Sequence, residues 1–140
     1  MLRADLHIHT LYSSDCLTSP EEVVARCLEI GINCLAVTDH DSVAGAQRVQ
    51  ELAPFPVIVG EEILTPQGEI MGLFLTRRIP SGLPVREVVA QIKEQGGLVC
   101  VPHPFDQLRL SIGRDQTLLG ILPDIDIVEV FNSRSLMPFS

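Results

Sequence analysis

Apolar positions along the chain fall into short runs that switch between two spacings. Arg3 to His9 alternates, with Asp5, His7 and His9 on one face and Leu6 and Ile8 on the other, which predicts a strand. Ser19-Pro20-Glu21-Glu22 predicts a helix start, with Ser19 as N-cap, Pro20 at the first helical position and Glu22 closing a capping box. Val23, Val24, Cys27, Leu28 and Ile30 continue at helical spacing until Gly31 ends the run. Asn33 to Thr38 is nearly all apolar, as expected of a strand covered on both faces. Ser42 is expected to cap a short helix to about Leu52, followed by a third strand from Pro56 to Leu64. Pro66-Gln67-Gly68 then makes a turn, and Glu69 to Thr76 returns as an antiparallel strand. Pro84 to Gln95 reads as a helix with Val85, Val88, Val89 and Ile92 inward, stopped by Gly96-Gly97. Leu98 to Val101 and Ile125 to Phe131 read as further strands. Residues 104–124 between them show weak periodicity, and segments that long are often functional. The alternation predicts an α/β fold with a mostly parallel sheet.

Composition narrows the class. At 140 residues the chain is expected to form one domain, 1–140, and its 46% apolar content supplies a core. A net charge of -8 argues against general binding to a nucleic-acid backbone, which requires a basic surface. It leaves open a nucleotide held through cations, which reverse the local field. No apolar run approaches the roughly 20 residues that cross a bilayer, and Met1 to Asp5 lacks a signal peptide's apolar segment, so no membrane association and a cytoplasmic location are expected. Cys16, Cys27, Cys34 and Cys100 have neither the spacing of a metal knuckle nor the density of a disulfide scaffold and are expected to be small buried thiols.

The four histidines carry the chemistry. His7 and His9 end the first predicted strand, His40 follows the second and His103 the fifth. Functional groups of parallel α/β sheets and barrels gather at the C-terminal ends of strands. Residues two apart on a strand point the same way, so His7 and His9 can grip one cation from one wall. Histidine nitrogen with carboxylate oxygen suits zinc, manganese or iron. Asp5, Asp15, Asp39, Asp41, Glu61 and Glu62 are expected near the same end, a crowding of charge that cations would relieve. Asp5 either supports His7 or simply lies in the interior, and Asp39 and Asp41 either tighten the strand-to-helix turn or join the site. Glu61 and Glu62 point to opposite faces, so one is expected inward. Glu69 reads as a hairpin residue.

Four motifs resemble the PHP (polymerase and histidinol phosphatase) family of metal-dependent phosphoesterases. These are Asp5-Leu6-His7-Ile8-His9-Thr10, Thr38-Asp39-His40-Asp41, Gly60-Glu61-Glu62-Ile63 and Pro102-His103-Pro104. The resemblance implies a distorted (β/α)7 TIM-like barrel with two to three divalent metal ions at the strand ends. It implies His7 and His9 on the first metal, Glu62 bridging the first and second, His103 on the second, and Asp15 and His40 on the third. Val128 to Arg134 resembles a strand-end segment in which Asn132 faces the site. The family's late Asp-x-His motif does not occur after His103. The expectation is therefore a PHP barrel truncated after about five strands, a fragment with an open edge prone to oligomerise and with weakened activity.

The function expected is hydrolysis of phosphate esters by a metal-activated hydroxide, on a phosphorylated small molecule, a nucleotide or an oligonucleotide. Arg109, Arg114 and Arg134, following site strands, are candidates to bind substrate phosphate together with Asn132. Asp39 is the one side chain offered for a catalytic role. The rivals are an amidohydrolase-like enzyme with a similar metal site and a catalytically silent PHP-like interaction domain.

Overall fold

The chain begins with a strand whose neighbours are added one by one, so sequence order and sheet order coincide. The computed structural model describes residues 1–104, 106, 112 and 116–134. Among them a six-stranded sheet runs β1 (Ala4–Ile8), β2 (Cys34–Val37), β3 (Val57–Thr65), β4 (Gly68–Leu73), β5 (Leu98–Val101) and β6 (Ile127–Val128). β1, β2 and β3 are parallel, β4 is antiparallel to both β3 and β5, and β6 is again parallel to β5. Five strands thus share one direction with a single reversed strand inserted, in a curled half-barrel that fits a truncated TIM-like barrel of the expected class. The hairpin that inserts β4 closes from Thr65 to Gly68, where the Thr65 hydroxyl donates to the Gly68 carbonyl at 2.6 Å.

Helices cover the outer face. α1 (Pro20–Ile30) starts as its local sequence dictates: the Ser19 hydroxyl accepts from Glu22 N–H, and the Glu22 carboxylate accepts from Ser19 N–H at 2.7 Å. Gly31 ends it at φ 77, a left-handed position that costs glycine nothing. α2 (Ala44–Leu52) begins later than expected: Val43 is the N-cap, and the Ser42 hydroxyl instead accepts from Ala44 N–H. α1 and α2 pack Val23, Val24, Cys27, Ala46 and Val49 against Leu35, Val37 and Val57. α3 (Val85–Glu94) has no side-chain cap, so packing holds it; Val85, Val88, Val89 and Ile92 are buried, each worth roughly 1.5–3 kcal/mol. They meet Ile63, Ile70, Val99 and Val101 of the sheet.

Three further boundaries differ from the periodicity. β4 stops at Leu73 because Phe74 adopts φ 62 and breaks the extended run. β6 is only two residues long, although Asp126 N–H and Glu129 N–H still bond to the Val99 and Val101 carbonyls. The weakly periodic stretch before it holds α4 (Gln116–Ile121) and a short 3-10 turn, Leu122–Asp124. Of the cysteines, Cys27 and Cys100 are buried, Cys16 and Cys34 are half-buried, and all four thiols are free. The alternation that sends Ile63, Ile70, Val99 and Val101 outward to the helices sends Glu62, Met71 and Cys100 inward, to line one concave cleft.

Candidate metal centre

His7 lies on β1 and His9 just beyond it, and a bulge between Asp5 and Ile8 re-aims this stretch. His40 follows β2 and forms an isolated parallel bridge with Glu62 of β3. His103 follows β5 between two prolines at φ 30, a strained value for a histidine, held by donation of its N–H to Glu129 at 2.7 Å. All four rings converge on one carboxylate. Glu62 Oε2 lies 3.1 Å from His7 Nε2, 2.9 Å from His9 Nε2 and 3.5 Å from His40 Nε2, while Oε1 lies 3.0 Å from His103 Nε2.

Three donor groups result. His7, His9 and Glu62 form one, Glu62, Glu69 and His103 a second, and His9, Asp15 and His40 a third. The donors fit divalent cations on a specific observation. His9 Nε2 is buried and 2.9 Å from Glu62 Oε2, yet it makes no hydrogen bond, as expected of two donors aimed at a common point rather than at each other.

Protons balance the charge. Burial by itself would lower the His7 pKa, but hydrogen bonds and charge from Glu129 and Glu62 outweigh it and raise it to about 9. His9 is raised in the same way, burial opposing and Glu62 and Asp15 prevailing. Burial would raise Glu62, but the close approach of the His103, His7 and His9 rings holds it far below the usual carboxylate range. Asp15 is lowered against burial by the Ser13 hydroxyl, which donates to it at 2.6 Å, and by His9. Cations entering the site would displace protons from these rings.

The other candidates separate. Asp39 does not join the cleft: it is buried with its carboxylate accepting from Thr10 N–H at 2.5 Å and the Thr10 hydroxyl at 2.7 Å. That placement braces the loop carrying Asp15 through Thr10. Asp41 is exposed and pairs loosely with Arg78. Asp5 is exposed and accepts from the His7 backbone N–H, not from its ring. Glu61 faces away from the cleft, accepting from Ile79 N–H at 2.8 Å. Asn132 and Arg134 line the cleft, and Asn132 donates to Glu129 at 3.2 Å. Arg109 and Arg114 lie outside the described residues.

Two carboxylates were not singled out by the sequence. Glu69, read as a hairpin residue, comes to 3.4 Å from His103 Nε2. The hairpin register places it opposite Leu64, on the same face as Glu62, so the alternation carried the signal. Glu129 accepts from His7 Nδ1 at 2.9 Å, and it too sits just past the end of a strand.

Comparison with known proteins bears on the family. An uncharacterized protein of Methanocaldococcus jannaschii is 37% identical over 145 aligned positions, covering 94% of this chain and 82% of that one. A second from the same organism is 36% identical, covering 95% of this chain but 54% of its own length. A 5'-3' exoribonuclease of Escherichia coli is 47% identical over 47 residues, 34% of this chain and 16% of the enzyme. Among solved structures, one described as a metal-dependent phosphoesterase from Bifidobacterium adolescentis superposes with a TM-score of 0.75 at 19% identity, over 91% of this chain and 77% of that one. A two-domain protein of Bacteroides vulgatus, one part of which is assigned as a PHP-like metal-dependent phosphoesterase, gives 0.78 at 20% identity, over 92% and 44%. Residues 5–72, which hold the first three motifs, match the PHP domain profile, and the chain belongs to the PHP domain family.

Proposed function

We propose that this chain is the metal-binding core of a phosphoesterase acting on a phosphorylated small molecule or a nucleotide. The observation that carries the reading is the single buried carboxylate of Glu62 set among four imidazole nitrogens. In this reading His7, His9 and Glu62 would hold one cation, Glu62, Glu69 and His103 a second, and Asp15 and His40 a third. Manganese, zinc or iron bound there would supply Lewis acidity toward a phosphoryl oxygen and acidify a water. The chain's own groups place the substrate. Arg134 at the rim would take a phosphate oxygen, and Asn132 would hold the rim through its bonds to Glu129 and to Arg134 N–H. The sequence relative named exoribonuclease supports phosphorus as the centre attacked.

The test is metal analysis of the folded chain together with a panel of phosphomonoesters, phosphodiesters and amides. We expect retained zinc, manganese or iron, lower content in the His7→Ala/His9→Ala variant, and metal-dependent turnover confined to phosphate esters. No metal uptake under any loading condition would overturn the reading. Preferential amide cleavage would move the chain to the amidohydrolase reading.

A further inference from the structure

The rings of His7 and His9 are held alike. Each turns Nε2 toward Glu62 and gives Nδ1 to a second carboxylate: His9 to Asp15 at 2.9 Å, His7 to Glu129 at 2.9 Å. Asp15 lies in one of the three donor groups, whereas Glu129 lies in none of them. Both oxygens of Glu129 are already engaged, Oε1 with His7 Nδ1 and Oε2 with His103 N–H, and both with the Asn132 amide. A carboxylate bonded to one ring nitrogen of a histidine fixes the proton there and leaves the other nitrogen free as a donor.

We infer that Glu129 is the positioning residue of the centre, holding His7 in the Nδ1–H tautomer with Nε2 directed at the cation and fixing the strained backbone of His103 through the same carboxylate. This rests on the metal-centre reading above and assigns to the last strand a role that the site residues named so far do not cover. The two contacts join β1, β5 and β6 through one side chain. Removing its charge therefore acts on the His7 group and leaves the Asp15–His40 group, whose ring is held by Asp15, unaffected.

Zinc affinities of the full chain by chelator competition test it, for the parent, Glu129→Gln, His7→Ala and the double variant. We expect Glu129→Gln to weaken the group containing His7 by roughly ten- to a hundredfold, and to have no further effect once His7 is alanine. Nitrogen-15 spectra of the zinc-loaded parent should show His7 protonated at Nδ1, a readout that holds even if Glu129→Gln fails to fold. Parent-like affinity in Glu129→Gln, an equal loss in the His7→Ala background, or a His7 ring protonated at Nε2 would each overturn the inference while leaving the centre itself standing. A parent chain that binds no zinc would overturn both.

Discussion

Glu61 shares β3 with Glu62 but turns its carboxylate away from the cleft, where one oxygen accepts from Ile79 N–H and the other has no hydrogen-bond partner among the described residues. Burial, only partly offset by that bond and by Arg78, pushes its pKa up to about 7 from an ordinary 4.5. A carboxyl raised in the folded state favours folding in its neutral form. Its contribution is therefore intact below about pH 4.5, is lost as pH rises toward 7 and stays lost above. The shift corresponds to about 3 kcal/mol. Urea denaturation should thus show Glu61→Gln gaining stability relative to the parent between pH 5 and pH 8, with metal content nearly unchanged. A parallel pair of pH–stability curves would show that Glu61 is not neutral in the fold. Its neighbour behaves oppositely: Glu62→Ala is expected to abolish coordination, read as metal stoichiometry, because every donor ring in the cleft faces that carboxylate.

At the scale of elements, the N-terminal turn of α2 is packed directly on the loop that carries Asp15. A Cβ on Gly45 would lie 2.1 Å from Asp39 Oδ2 and 2.5 Å from the Thr10 hydroxyl, both inside contact distance. Gly45→Ala should therefore cost about 1–3 kcal/mol by overpacking, and should lower metal binding at Asp15 and His40 more than at His103. Equal loss at all groups would point to general unfolding instead. At the start of α1 the capping box is independent of the cleft, so Ser19→Ala should cost about 1 kcal/mol in thermal denaturation without altering metal content. These two elements also show what the sequence discloses. The Ser19–Glu22 cap is legible because its partners are three residues apart, and the histidine pair because strand parity is local. Glu69 needed the hairpin register, Glu129 needed the apposition of the last strand and the first, and Asp39 needed the packing of Gly45 against Thr10. Glu129 and Asp39 depend on no neighbour in sequence, and Glu69 only through the turn that sets its register. The late start of α2 has the same cause, since its first turn is set by docking rather than by Ser42.

Across the whole molecule, β1 and β6 are the two ends of the sheet, each paired on one side only among the described residues. Val128, Val130 and Phe131 stand exposed beside the β6 end. Free strand edges flanked by apolar side chains template pairing with other chains. Light scattering of residues 1–140 should accordingly show association that grows with concentration, and a strictly monomeric solution would count against it. No described helix is long and apolar enough to cross a membrane. Bound cations stabilise a fold by favouring the state that binds them, and here they would tie β1 to β3, β4 and the end of β5 through Glu62. Zinc or manganese should therefore raise the melting temperature of the parent and do so less in His7→Ala/His9→Ala.

The bond between His7 and Glu129 spans 122 residues, which has a consequence for a chain made from one end. At about 5–20 residues per second, a ribosome that has released His7 needs roughly 6–25 s to reach Glu129. Through that interval the nascent chain displays an imidazole pair with no carboxylate to orient its first ring, while the β3–β4 hairpin, closed by a tight turn, can already assemble Glu62 and Glu69. The centre is thus completed from its middle outward, and a chain halted before its last strand should capture zinc more weakly than the finished one.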